Sequence, residues 1–191
     1  VTGSLYGGAI TAAGATKDAT GNKVNLTGGA VTGSVYGGAL TGAGATGNAT
    51  GNTVTIAGGA VTGDVHGAAL TRADAAGEAT KNIVNISAGT VGGTVYGAKN
   101  AGTGAATGST ITITGGTLHD VYGGHAASGA TTGNTVNLGT ADTPAGAAGT
   151  PVAAGTSIGN IYGGNQASVT GNVLNVYDSV TAANVDKFEK V

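Results

Sequence analysis

Short stretches in which aliphatic and polar residues alternate recur along the whole chain. The motif V-T-G-S-[LV]-Y-G-G is followed about sixteen residues later by G-N-x-V-[NT]-[LI], and the first three copies lie thirty residues apart. Alternation of this kind predicts β-strands, because successive side chains of a strand point to opposite faces. A fixed period of this length predicts a repeat protein in which stacked units share one core.

Residues 31–60 serve as the type repeat. In its first strand Val31 and Val35 share one face, and in its second strand Val54 and Ile56 do so. Glycine pairs bracket both strands and predict the corners, and a third side is less clearly marked. We therefore predict an all-β fold, a right-handed single-stranded parallel β-helix (β-solenoid) with about six coils of ~30 residues. A left-handed helix is the weaker alternative, because its coils are usually shorter.

The period divides the chain into a solenoid and two irregular parts. Residues 1–176 carry the β-helix repeats, with an insertion at 139–157 that contains both prolines and predicts a loop projecting from the solenoid. Residues 177–191 lack the repeat and are predicted to lead out of the solenoid as a C-terminal end segment. The chain opens in mid-repeat, so we expect the natural protein to extend beyond both ends.

An asparagine occurs at the same bend in most coils, directly after a glycine. Stacked amides about 4.8 Å apart can hydrogen-bond to one another and to the turning backbone, which predicts a structural ladder. Ser109 interrupts it and predicts a weaker corner there. The members of this asparagine ladder are Asn22, Asn52, Asn82, Asn134 and Asn172.

An aromatic residue recurs in the first motif, always after an aliphatic residue and before glycine. Strand alternation places these side chains outward, where they would form a stripe suited to sugar rings or protein partners. The alternative is that the rings only stack on each other and shield the adjacent glycines. This aromatic stripe consists of Tyr6, Tyr36, His66, Tyr96, Tyr122 and Tyr162.

Composition narrows the classes of partner. The chain has 40 Gly, 8% charged residues and a formal net charge of −2, so it lacks the basic surface that nucleic acid or anionic lipid requires. Its apolar runs are too short to span a bilayer as a helix, and we expect no membrane insertion by this segment. The absence of cysteine is compatible with a chain that is exported unfolded and folds outside the cell.

No nucleophile, phosphate-loop or metal motif emerges, so we expect no catalytic residues, no metal and no cofactor. His119 and His125 lie close in sequence but are expected to be exposed polar residues. Asp64 and Asp120 fall in one outward column two rungs apart, about 9.6 Å, near the upper limit for an inverting glycosidase pair. A carbohydrate-binding or polysaccharide-cleaving module is therefore one alternative function.

Outward threonines suggest a second alternative, an ice-binding solenoid, since regular hydroxyl arrays on a flat face can order water. The array includes Thr53 with Thr55 and also Thr110, Thr112 and Thr114, and it is interrupted at Lys23, Ile83 and Val173.

The repeat units resemble the passenger regions of bacterial autotransporter adhesins, the surface proteins of type V secretion. The resemblance is carried by Gly28–Gly38, Thr50–Ile56 and Thr132–Leu138, and Thr170–Val191 resembles the last repeat of such passengers. It implies a right-handed parallel β-helix outside the cell, on the surface of a Gram-negative bacterium, acting in adhesion or as a stalk.

The leading hypothesis is thus a non-enzymatic extracellular passenger segment that serves as a rigid stalk or adhesive scaffold. In one variant it self-associates end to end into a filament, because parallel strand edges and low charge favour stacking. The expected partners are identical chains, or a receptor or glycan on a host-cell or bacterial surface.

Overall fold

The computed structural model describes residues 1–141, 148–166, 168 and 170–191. These residues form strands and turns and contain no helix. The strands are β1 (Leu5–Ile10), β2 (Ala19–Thr20), β3 (Lys23–Leu26), β4 (Ala30–Val31), β5 (Val35–Leu40), β6 (Ala49–Thr50), β7 (Thr53–Val61), β8 (Val65–Leu70), β9 (Ala79–Thr80), β10 (Ile83–Val91), β11 (Val95–Asn100), β12 (Ala106–Thr107), β13 (Thr110–Ile113), β14 (Thr117–Leu118), β15 (Val121–Ala126), β16 (Thr135–Leu138), β17 (Ser157–Tyr162), β18 (Val173–Val176) and β19 (Thr181–Asp186).

The strands stack in parallel along three sides of the coil, and we name each side as a sheet although hydrogen bonding joins two of them. The tyrosine sheet contains β1, β5, β8, β11, β15, β17 and β19. The alanine sheet contains β2, β6, β9 and β12. The threonine sheet contains β3, β7, β10, β13, β16 and β18. The tyrosine and threonine sheets belong to one fifteen-stranded sheet, because β14 pairs with both β10 and β17.

The predicted β-solenoid is confirmed, but the number of coils differs. Only four described coils have a strand on every side, because the alanine sheet has four members, against about six coils predicted. The next coil is shorter on the alanine side and has no strand there, but its backbone still accepts hydrogen bonds from β12 and the residue after it. Ala106 N donates to Ala130 O at 2.9 Å, and Gly108 N donates to Thr132 O at 3.2 Å. Trimmed coils therefore still stack, with less regular backbone.

The interior follows the alternation that the sequence predicts. Val35, Val54 and Ile56 are fully buried, whereas Thr53 and Thr55, which alternate with Val54 and Ile56, are half-buried. One apolar cluster of valine, isoleucine and leucine fills the space between the tyrosine and threonine sheets. A second cluster lies beside the alanine sheet and consists of alanines with Leu40 and Leu70. Small side chains let the sheets approach closely at this side.

The insertion at 139–157 is not wholly the projecting loop that its composition predicts. Residues 142–147, including Pro144, lie outside the described residues. After them the chain returns to the solenoid: Val152 is 8% exposed and packs in the valine cluster, and Ala153 N donates to Thr114 O at 2.7 Å. Ser157 already begins β17. An apolar residue at this position is better satisfied by the core than by solvent.

The C-terminal segment 177–191 does not lead out of the solenoid, and this prediction is wrong. Its strand β19 pairs with β17 in the register of the earlier coils, with Val185 opposite Ile161. Phe188 then packs against the valine cluster, and the backbone of Lys190 forms an isolated parallel β-bridge with that of Val173. The segment adds a seventh level to the tyrosine sheet, because its aliphatic residues cover apolar side chains that would otherwise be exposed.

One corner carries a lysine in a backbone conformation that glycine adopts in the other coils. Lys81 has φ 55°, and its counterparts Gly51 and Gly108 have φ 65°. A side chain in this left-handed region costs about 1–2 kcal/mol. Glycine removes this strain but loses more chain entropy on folding, which offsets part of the gain. We expect Lys81→Gly to raise the free energy of unfolding by roughly 1 kcal/mol before this offset.

Thermal unfolding of the purified variant measures this effect. Lys81→Ala is the matched control, because it removes the same side chain but keeps the strained Cβ, and it should bring no gain. A lower midpoint for Lys81→Gly would show that the lysine side chain contributes more than the strain costs.

Candidate functional site

The aromatic stripe is a continuous stack of rings along the solenoid. Successive centroids lie 4.7, 4.5, 5.1, 5.7 and 4.5 Å apart, with interplanar angles of 22° or less. Each interior ring therefore has both faces covered by its neighbours. A sugar ring needs a free aromatic face for stacking, and the interior of the stripe offers only ring edges and hydroxyl groups.

The prediction that the whole stripe faces outward needs correction. Tyr6 is 44% exposed, but His66 is 2% and Tyr96 is 9% exposed. Tyr36, Tyr122 and Tyr162 are half-buried. Two members are buried because rings cover them above and below and because the side chains of Asp64 and Lys99 lie beside them.

His66 is a neutral histidine inside this stack. Burial, and secondarily the positive charge of Lys99, lowers its pKa to about 3. Asp64 Oδ2 lies 3.7 Å from His66 Nε2, but burial outweighs its attraction, so the contact joins a carboxylate to a neutral imidazole. Among the described residues, His66 Nδ1 is the buried side-chain polar atom that has no hydrogen-bond partner.

A column of polar side chains runs beside the stripe, two residues before each ring. Ser4 Oγ accepts the backbone N–H of Ser34 at 3.1 Å, Ser34 Oγ that of Asp64 at 3.0 Å, and Asp64 Oδ1 that of Thr94 at 2.9 Å. In the same column Asp120 Oδ1 accepts from Asn160 N at 2.9 Å. The column thus ties together the coils from Ser4 to Thr94 and, beyond that step, the coils of Asp120 and Asn160.

This geometry bears on the carbohydrate-cleaving alternative. Asp64 and Asp120 are separated by the Thr94 rung, as predicted, but one oxygen of each already accepts a backbone N–H. Asp120 Oδ1 also accepts from Asn160 Nδ2 at 2.8 Å. These bonds give both carboxylates a structural role that alternation alone does not reveal, although Ser and Thr at equivalent positions are a signal of it.

The two other histidines, His119 and His125, have different surroundings. His119 Nδ1 is 3.4 Å from Asp120 Oδ2, and the side chain is 66% exposed. His125 is half-buried with its ring edge-on to Tyr96 and Tyr122, and burial lowers its pKa. Within the described part of the chain, no three His, Asp or Glu side chains are grouped as metal ligands.

The predicted asparagine column lies at the corner between the alanine and threonine sheets, and its later members are fully buried. Asn22 Nδ2 donates to Asn52 Oδ1 at 2.8 Å, and Asn52 Nδ2 donates to Asn82 Oδ1 at 3.1 Å. Amides of the column also donate back to the preceding coil, as Asn52 Nδ2 does to Ala19 O at 2.9 Å. The side chains thereby satisfy polar backbone groups that the bend leaves unpaired.

Ser109 keeps only half of this pattern. Its Oγ accepts the backbone N–H of Asn82 at 3.2 Å, and its own N–H donates to Asn134 Oδ1 at 3.1 Å. A hydroxyl has no amide group that could reach both a neighbouring side chain and the preceding coil.

The outer face of the threonine sheet bears on the ice-binding alternative. The register places Lys23, Ile83 and Val173 in one column with Thr53 and its counterparts, so the interruptions fall within the array. Some polar groups bond to each other: Asn175 Nδ2 donates to Asn137 Oδ1 at 2.9 Å. Ice binding stays a prediction.

These features define the class of protein: a parallel β-solenoid whose repeats are joined by side-chain columns as well as by the backbone. Comparison of the chain with models of protein families, with curated proteins and with solved structures gives no match. Among the described residues, no helix has the length and apolar character needed to cross a membrane.

Proposed function

We propose that this chain is a non-enzymatic stalk: a rigid β-solenoid passenger segment that holds other parts of an extracellular surface protein at a distance. One observation carries the proposal. The asparagine and aromatic columns continue from coil to coil, and the polar column joins most coils, so side-chain contacts reinforce the backbone ladder along the solenoid. The placement on a Gram-negative cell surface rests on the resemblance of the repeats to autotransporter passengers.

A stalk should be extendable by whole coils. Residues 31–60 pair in the same register with the coil before and the coil after, with Val35 between Leu5 and Val65. We expect three additional copies of 31–60, inserted after Ala60, to fold and to lengthen the particle by about 14 Å, one strand spacing per coil. Small-angle X-ray scattering measures the maximum dimension.

The matched control inserts three copies of residues 31–50, which have similar composition but do not complete a coil. This variant should lose cooperative unfolding, because the valine and asparagine columns fall out of register. An unfolded 31–60 insertion variant, or a folded one of unchanged length, would overturn the stalk proposal.

End-to-end association of identical chains is part of the same proposal. It would pair the free edge of β1 in one copy with that of β19 in another. The same scattering measurement, repeated on the unmodified chain over a concentration series, would register association as a growing maximum dimension.

A further inference from the structure

Three departures from the repeat meet in one place on the outer surface. Asp64 stands where the neighbouring coils have Ser34 and Thr94, and His66 stands between Tyr36 and Tyr96. Lys99 occupies the position that is alanine at Ala69 in the preceding coil. The repeat thus provides an internal comparison: Asp120 recurs in the column of Asp64, and His125 follows in the column of Lys99, but the charges of Asp64 and Lys99 are combined here with a histidine in the stack.

These residues line a groove of about 380 Å³ beside the aromatic stack. This volume lies in the range of sites for small molecules. Tyr36 and Ala101, which are partly exposed, contribute apolar surface, and Asp64, Lys99 and Thr71 contribute polar groups. A phenol at position 66 would be larger than the imidazole and would extend into this space, so histidine keeps the groove open.

The charged groups in the groove have unused hydrogen-bonding capacity. Asp64 Oδ1 accepts the N–H of Thr94, but Oδ2 lies 3.8 Å from Lys99 Nζ, beyond hydrogen-bond distance. Lys99 Nζ stands 4.4 Å from the centroid of the Tyr96 ring and makes no hydrogen bond to any described residue. Both side chains are about one-third exposed. An acceptor and a donor therefore face the same space.

The chemistry of this pair selects a class of ligand. A hydroxyl group donates and accepts at once, so it fits between a carboxylate and an ammonium 3.8 Å apart. A lone anion would be repelled by Asp64 and a lone cation by Lys99, whereas a neutral polyol meets neither penalty. The apolar surface of Ala101 and the ring edge of Tyr36 suit the C–H face of a sugar ring.

His66 supplies independent support. Its buried Nδ1 lacks a partner among the described residues, and an unpaired buried polar atom is destabilising, a cost that tyrosine would avoid at this position. A buried polar atom left unpaired at a residue that shapes a groove is typical of functional sites, where local packing rules are broken.

We propose that this groove binds one neutral sugar residue of a glycan, through hydroxyl groups held between Asp64 and Lys99. This site differs from the sugar binding that the aromatic stripe suggests, in which a sugar would stack on the rings, because the ring faces in the stripe are covered. It goes beyond the stalk function and is independent of it: without sugar binding the solenoid still acts as a spacer, and the length measurement tests that separately.

The test is an NMR titration of the ¹⁵N-labelled chain with glucose, galactose, mannose and N-acetylglucosamine, each at millimolar concentration. We expect at least one sugar to shift the amide resonances of residues 64–71 and 99–101 in a saturable manner. Asp64→Ser and Lys99→Ala introduce the residues that the preceding coils carry, Ser34 and Ala69, so both should fold, and each should weaken binding at least tenfold.

Asp120→Ser is the matched control, since it makes the same substitution in the same column outside the groove and should leave binding unchanged. The absence of saturable shifts with all four sugars would overturn the proposal. So would shifts that persist at full strength in Asp64→Ser and Lys99→Ala. A stronger response to glucuronic acid than to glucose would overturn the assignment of a neutral ligand.

Discussion

Replacing Gly67 by alanine is expected to destabilise the solenoid by about 3 kcal/mol, through overpacking. A Cβ at this position would overlap the carbonyl oxygen of Gly97 and approach Asn82 Cβ to 3.0 Å and Val84 Cγ2 to 3.2 Å. The obstructing carbonyl belongs to the backbone of the next coil, so no side-chain rotation relieves the overlap. Thermal or urea unfolding followed by circular dichroism measures the loss.

Gly28→Ala is the control for the change of residue type. Gly28 is exposed and does not require a positive φ, and the methyl group of an alanine there would have no neighbouring atom within 4 Å. Its replacement should change stability by less than about 1 kcal/mol in either direction. If Gly67→Ala unfolded at the same midpoint as Gly28→Ala, the coils would not be in the close contact described above. The same overlap recurs after each aromatic residue, at Gly7, Gly37, Gly97, Gly123 and Gly163.

The second large effect is a loss of stability in acid caused by His66. Its pKa is about 3 in the folded chain, against 6.5 for an ordinary histidine. Above pH 6.5 both the folded and unfolded states hold a neutral imidazole, and the full stability is present. Between pH 6.5 and 3 only the unfolded state binds the proton, so stability falls as the pH falls, by on the order of 5 kcal/mol across the window.

His66→Tyr isolates this contribution, because it extends the tyrosine stack and removes the titrating group. Asp64 and Lys99 face His66 and are present in both proteins, so their effects largely cancel in the difference. We expect the free energies of unfolding of the two proteins to differ by a constant amount above pH 7 and to diverge below pH 6. Parallel curves down to pH 4 would show that His66 takes up its proton in the folded state.

Much of the fold can be predicted because each coil repeats the same local rule. Alternation places Val54 and Ile56 inside, and the glycine before each asparagine marks the bend. The number of complete coils is harder to predict, because the alanine side is only two residues wide and loses its strand when a coil is shortened. Composition does not reveal whether the two residues on the alanine side of a given coil form a strand.

The failures concern contacts between coils. Alternation assigns a residue to a face but does not tell how deeply its neighbours cover it, so it predicts an outward His66 although two rings and two charged side chains bury this residue. The repeat period likewise cannot detect Val152 or Phe188, which reach the core from segments without the motif. The groove depends on Lys99 and Asp64, which are far apart in sequence and come together only when the coils are in register.

The asparagine column has a direction. The backbone and side-chain N–H groups point toward the carbonyl oxygen of the following asparagine, from Asn22 to Asn52 to Asn82. The column is therefore a polar chain of aligned dipoles, with the acceptor of Asn22 at its beginning and, at its end, the amide of Asn172, which donates to Lys187 O of the C-terminal segment. A further coil, from this chain or from another copy, can join only with the same orientation. Two identical ends brought together would oppose acceptor to acceptor, so any growing assembly must be a one-way polymer with two unlike tips.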